Sequence, residues 1–201
     1  MNRKSIERID RRAAQCCSGL YCTSAYYAAG VISKMIPLEL SIHRRSALVC
    51  HVRGWSMPKN SPIILPSRVL EPSKFATALE DAVLAKWQDL YKRRSSLWTQ
   101  RLLPSVYSCI AVNVSFFLGQ ALTAHRCFRA FLYKIQKVAS PLCPYEDGSE
   151  ETAEHVFLYC RRFEEGRPPR LVASEEAACL YMERVVRALW VEENDPQSIT
   201  N

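Results

Sequence analysis

From Phe75 to Tyr91 the chain places an apolar residue at every fourth position: Phe75, Leu79, Val83, Trp87 and Tyr91, with Leu84 and Leu90 beside them. A four-residue step lines one face of a helix, whereas a strand would alternate at every second residue. A helix with one apolar stripe must bury that stripe against other elements. A start falls at Glu71-Pro72-Ser73, since proline is preorganised for a first helical turn. Arg93-Arg94-Ser95-Ser96 is expected to end the helix.

The rest of the chain offers helical partners. Ile6, Ile9, Ala13, Cys17, Leu20 and Tyr21 recur at three- and four-residue steps, with an interruption expected at Gly30; Pro37 opens a second stretch from Leu38 to about Val52. Residues 112–137 suggest two helices broken near Thr123–Arg126, in which Phe116, Leu122, Phe128 and Leu132 read as core and Arg126, Arg129 and Lys134 as exposed. Ser174-Glu175-Glu176 should cap a last helix reaching about Trp190, because acidic residues in a first turn suit the helix dipole. Asp195–Asn201 should fray. Little of the chain alternates at period two. The expectation is a mostly α fold: a helical bundle with a small degenerate zinc-knuckle loop. Its segments would be helices over 1–53, a linker with four prolines over 54–72, a basic helical part over 73–140, the loop over 141–163, and a C-terminal helix with an acidic tail over 164–201.

Nine cysteines would suggest a disulfide scaffold in a secreted chain. Their number is odd and the N-terminus MNRKSIERIDRR has no apolar signal region, which favours free or metal-bound thiols in an intracellular compartment, nuclear or cytoplasmic. No apolar run approaches the ~20 residues of a membrane span. Charge is divided: residues 1–140 carry 21 Lys and Arg against 7 Asp and Glu, and residues 141–201 carry 6 against 13. A basic body of this kind suits a polyanionic partner.

Two stretches carry candidate chemistry. In CPYEDGSEETAEHVFLYC the spacing is Cys143-x2-Glu146-x8-His155-x4-Cys160. Zinc takes four tetrahedral ligands, usually thiolates and imidazoles. A pair separated by two residues sits on a tight turn, a pair separated by four spans one helical turn, and Asp147-Gly148-Ser149 lets the chain reverse between them. Three orthodox ligands are present, and Glu146 is a doubtful fourth. The bland alternative is that the cysteines are small apolar residues in a packed loop.

The second stretch is KWQDLYKRRSSLWTQRLLP, where Lys86, Lys92, Arg93, Arg94 and Arg101 interleave with Trp87, Tyr91 and Trp98. Cations neutralise phosphates and aromatic faces stack on unpaired bases. Trp87 and Tyr91 lie on the apolar stripe, however, so core packing is expected of them. His125 in the following segment reads as a hydrogen-bonded structural residue. No glycine-rich phosphate loop, GxSxG elbow, HExxH or paired metal-binding aspartates occur, so no enzymatic activity is expected.

In order, Trp98-Thr99-Gln100-Arg101-Leu102-Leu103-Pro104, the FxxxQxLTxHxCFRxxL pattern of Phe116–Leu132, and the knuckle-like Pro141–Phe163 with its ETAEH run resemble one family. This is the region C-terminal to the polymerase domain in arthropod non-LTR (LINE-type) retrotransposon reverse transcriptases, the jockey and rDNA-inserted kinds. RRAAQCCSGLYCTSAYYAAGVISKMIPLEL resembles the helical thumb-like segment that follows the palm. The resemblance implies a zinc knuckle held by Cys143, His155 and Cys160, with Glu146 where the family has a second cysteine. It also departs from the family at Ala124 and Arg126, where glycines often flank the histidine.

The polymerase and endonuclease motifs of that family are absent from the chain. The implied function is a non-catalytic fragment binding RNA or DNA without sequence preference, through Lys86, Lys92, Arg93, Arg94, Arg101, Arg126 and Arg129, with zinc as cofactor. A lost ligand, lost glycines and a missing catalytic body fit a decayed or truncated copy, with a co-opted host protein as the other origin. The competing reading is a helical protein-interaction module with a vestigial metal loop, using the acidic tail and the helix Phe75–Tyr91.

Overall fold

The computed structural model describes residues 3–58, 60–65, 71–108, 110–146 and 148–194. Asp147, the end of the expected linker and the expected fraying of Asp195–Asn201 lie outside them. Among the described residues the helices are α1 (Arg3–Ser18), α2 (Tyr26–Ser33), α3 (Leu38–Arg53), α4 (Pro72–Arg94), α5 (Leu97–Leu102), α6 (Phe116–Thr123), α7 (Arg129–Lys134), α8 (Ala153–Leu158) and α9 (Glu176–Asn194). The only pairing of extended backbone among them is one antiparallel bridge, Leu142 with Glu150. The mostly α expectation holds.

Helix α4 is the one the four-residue apolar step demands. Leu79, Val83, Trp87 and Tyr91 are all buried. Removing each such side chain from water contributes roughly 1.5–3 kcal/mol, so this stripe anchors the bundle. The one polar atom that Tyr91 brings inside is matched: its hydroxyl donates to the Leu103 carbonyl at 2.8 Å. Pro72 opens the helix, and Lys92, Arg93 and Arg94 fill its last turn, where cations meet the negative end of the dipole.

Around α4, one hydrophobic cluster takes in Val31 of α2, Leu40 of α3, Leu102 of α5, Leu118 and Leu122 of α6, Phe157 of α8 and Val185 of α9. The helices before and after the proline-rich segment therefore share one core. Even the proline-rich segment contributes, through buried Ile63. Proline sets its backbone without preventing an isoleucine from packing.

Helix α1 departs from its expected face. The buried positions are Asp10, Ala14, Gln15 and Ser18, while Ile9 is 58% exposed and Cys17 is exposed. Polar contacts decide this orientation. Asp10 accepts from the Tyr26 hydroxyl and, at 2.6 Å, from the Leu38 backbone N–H, which serves the otherwise uncapped start of α3. The Gln15 amide donates to the Cys22 and Ser24 carbonyls at 3.0 Å each. A buried carboxylate must be partnered, and this rotation of α1 gives Asp10 its partners. The helix stops at Gly19, whose φ of +65° is the left-handed conformation glycine adopts freely. The expected break at Gly30 does not occur, since Gly30 lies inside α2.

Helices α6 and α9 pack together and carry the turn that holds His125. The α6 C-cap, Ala124, has φ +54° and Arg126 has φ +69°. Both positions flanking the histidine thus adopt the conformation that suits glycine, although neither is glycine here.

Candidate metal centre

A short hairpin and a short helix build the centre. Residues 141–143 and 149–151 pair with each other, with the Cys143 N–H donating to the Ser149 carbonyl at 2.8 Å and the Glu151 N–H to the Pro141 carbonyl at 2.8 Å. Gly148, at φ +80°, takes the left-handed position in this reversal. Thr152 then caps α8 by accepting from the His155 N–H at 3.1 Å. One turn later the Cys160 N–H donates to the His155 carbonyl at 2.8 Å, which returns Cys160 to the side of its histidine.

This frame brings three donor atoms together. The sulfurs of Cys143 and Cys160 and a ring nitrogen of His155 lie within 4.8 Å of one another, and all three residues are buried. The two sulfurs are 3.8 Å apart. A disulfide would need them at about 2.05 Å. Two thiolates on one tetrahedral zinc, each about 2.3 Å from the metal, would stand about 3.8 Å apart. The pair is spaced as an edge of a zinc tetrahedron.

The histidine carries a second sign. Its Nε2 is buried and finds no hydrogen-bond partner among the described residues. An orphaned buried nitrogen of this kind is costly, and a metal would use it. The nearest acidic atom is Glu146 Oε2, at 3.7 Å; ligands of nitrogen and oxygen on one zinc would stand about 3.4 Å apart. Glu146 is nevertheless outside the set of mutually close donors. Its other oxygen, Oε1, accepts from the Arg161 N–H at 3.0 Å. The residues present therefore fit a metal through Cys143, His155 and Cys160, with Glu146 beside the fourth position rather than in it.

Burial pushes the Cys160 thiol up to about 11; the Arg162 backbone N–H, which favours the thiolate, opposes this. A cation in the cluster would supply the missing counter-charge.

The expected nucleic-acid contacts are scattered over several elements and mostly engaged. Lys86 and Arg93 both pair with Asp89 on α4, at 3.5 and 2.7 Å. Arg94 approaches Glu7 of α1 at 3.9 Å, and Arg101 pairs with Glu154 at 2.7 Å. Lys92 is exposed, with no ion pair among the described residues. Trp87 and Tyr91 are core, as the stripe implied, and the Trp98 indole N–H donates to the Ala121 carbonyl at 2.7 Å, so none of the three is free for a base.

Arg126 and Arg129 were expected on the surface and are half-buried. Arg126 donates to the Tyr21 hydroxyl at 2.9 Å and lies 4.3 Å from the Trp190 ring centre. The Arg129 N–H donates to Glu151 at 3.1 Å. Phe116, expected in the core, is 39% exposed and meets the edges of Tyr21, Phe117 and Trp190. His125 behaves as expected, with Nδ1 bonded to the Thr123 carbonyl at 2.8 Å.

Two features escaped the sequence reading. Arg8 and Arg12 of α1 are exposed without an ion pair among the described residues, one helical turn apart; their four-residue spacing was visible in the sequence. Glu151 is buried at the root of the hairpin, and nothing local marks it out.

Among the described residues no helix is long and apolar enough to cross a membrane. No protein-family model, curated protein or solved structure matches this chain.

Proposed function

We propose that this chain is a non-catalytic nucleic-acid-binding module, stabilised by zinc at its knuckle and descended from the C-terminal region of a non-LTR retrotransposon reverse transcriptase. The observation that carries the reading is the buried cluster of Cys143, Cys160 and His155, with sulfurs at the spacing of a zinc edge. Its ligands occur in the order that the sequence resemblance implies. Zinc, when bound, would fix the hairpin to α8 through the three side chains.

Phosphate contact would come from Lys92, Arg8 and Arg12, which have no ion pair among the described residues, together with Arg93 and Arg94, whose surface pairs with Asp89 and Glu7 a phosphate would have to displace. Lys92, Arg93 and Arg94 project from the end of α4, and Arg8 and Arg12 from α1, next to it at the Arg94–Glu7 contact. Such binding is sequence-independent and salt-sensitive, with log K falling by about 0.7 per phosphate neutralised on a single strand. Fluorescence anisotropy of a labelled single-stranded oligonucleotide, across a salt series, tests this. Replacing Lys92, Arg93, Arg94, Arg8 and Arg12 by Gln should flatten the slope by roughly 2–3.5, the upper figure applying if all five touch phosphate. Absence of binding at low salt, or an unchanged slope, refutes the assignment.

A second reading, docking of a protein, draws support from α3, where Ile42, Val49 and Val52 are exposed and Trp55 follows beneath Arg53. The amphipathic face of α4 cannot serve that purpose, because the core already covers it.

A further inference from the structure

Helix α3 is apolar on two sides, and the fold covers one of them. Leu40, Ala47 and Cys50 turn inward and are buried. Ile42, Val49 and Val52 lie on the opposite side and are exposed, Val52 by 83%. They recur at steps of seven and three residues, which aligns them in one stripe about 15 Å long. An exposed apolar surface bordered by charge marks an interaction site.

The end of the helix adds an anchor. Gly54, at φ +65°, closes α3, and the Trp55 N–H donates to the Cys50 carbonyl at 2.8 Å. This turn fixes the Trp55 backbone. The indole nevertheless stays 58% exposed, with the Arg53 guanidinium 4.9 Å from its ring centre. Of the four tryptophans it alone is exposed. A tryptophan held rigidly at the surface loses little freedom on docking, and such residues carry much of the energy of interfaces.

Charge selects the partner. After Glu39 in its first turn, α3 carries no acidic residue. Arg45, on the stripe between Ile42 and Val49, and Arg53 are both exposed, with no ion pair among the described residues. Arg44, by contrast, is engaged by Glu80 at 2.6 Å. Two like charges oppose pairing of this face with a second copy of itself, and a phosphate chain would leave the isoleucine and valines uncovered. The only extended pairing among the described residues is the Leu142–Glu150 bridge, so no sheet edge offers itself to an extended peptide. Packing of helix on helix is the mode that remains. We propose that this face of α3 docks an amphipathic helix of another protein, apolar on one side and flanked by glutamate or aspartate that meets Arg45 and Arg53. The inference stands apart from the nucleic-acid reading and deepens the docking reading given above.

The test titrates the full chain with a synthetic fluorescein-labelled peptide of about five helical turns, with leucines along one face and glutamates on the rest. Two control peptides have the same residues in scrambled order, or glutamine in place of glutamate. The acidic amphipathic peptide should bind roughly tenfold tighter than either control and should shift tryptophan emission to the blue. Val52→Ser and Trp55→Ala should each weaken it roughly tenfold, and replacing Arg45 and Arg53 by Gln should remove most of its salt dependence. All four side chains are exposed, so these substitutions leave the core intact. Equal binding of the acidic peptide and its controls overturns the proposal. So does a preference that survives both Val52→Ser and Trp55→Ala, because the peptide then sits on another basic surface. A dimer in sedimentation that Val52→Ser dissolves gives the face to a second copy, and loss of oligonucleotide binding in that variant gives it to nucleic acid; either result overturns the proposal. Oligonucleotide binding that Val52→Ser preserves keeps the two surfaces separate, as expected, and failure of the unaltered protein to bind any strand removes the nucleic-acid reading alone.

Discussion

Replacing Ala124 by glycine should stabilise this protein, although alanine-to-glycine changes usually do the reverse. Ala124 caps α6 with φ +54°, its N–H reaching the carbonyls of Gln120 and Ala121. A left-handed conformation costs an L-residue about 1–2 kcal/mol, and glycine escapes that cost. Against the gain stand the extra freedom glycine has when unfolded, about 0.4–1 kcal/mol, and the loss of a half-buried methyl group. The balance is roughly 0.5 kcal/mol in favour of the glycine variant, or a rise in Tm of about 1–2 °C for a chain of this size. Ala121, three residues earlier and fully buried inside α6, provides the opposite case. There glycine loses helix propensity, about 1 kcal/mol, and a buried methyl, about 0.8 kcal/mol, for a drop of about 4–7 °C. Urea denaturation read by circular dichroism resolves both signs. If Ala124→Gly destabilises as Ala121→Gly does, the left-handed cap is not strained and the reasoning fails. Arg126→Gly relieves the same kind of strain at φ +69° but should still destabilise, since it also forfeits the Tyr21 hydrogen bond and the Trp190 face.

Zinc added to chelator-treated protein should raise Tm, by about 4 kcal/mol of linkage when free zinc is a thousandfold above Kd; Cys160→Ala should abolish the rise and Glu146→Cys should tighten binding. An identical Tm with and without zinc, at stoichiometry near zero by metal analysis, would disprove the metal centre. A second expectation concerns Glu151. Burial raises its carboxyl above the ordinary value, outweighing the Arg129 N–H and nearby arginine charges that lower it. The unfolded chain therefore ionises first, so the stability Glu151 contributes is complete below about pH 4.3 and is lost as pH rises through its folded-state value. Glu151→Gln should gain on the unaltered protein between pH 4 and pH 7, measured by paired denaturation curves; a relative loss over that interval would contradict it.

Local spacing alone settled a good deal of this protein. The four-residue step from Phe75 to Tyr91 determined α4 and its buried face, because side-chain direction in a helix depends only on position along it. Cys143, His155 and Cys160 could likewise be grouped from their intervals, since a hairpin and one helical turn are short-range constructions. What spacing could not supply was any quantity set by distant partners. The rotation of α1 follows from Asp10 meeting Tyr26 and Leu38, and the burial of Arg126 follows from Tyr21 and Trp190, each far away in sequence. A cavity bordered by Tyr21, His125, Phe131 and Glu193 likewise joins stretches far apart in sequence. Helical periodicity is a property of the chain itself, whereas burial of a charge or the vacancy of an acceptor is decided by whichever groups the fold brings opposite it.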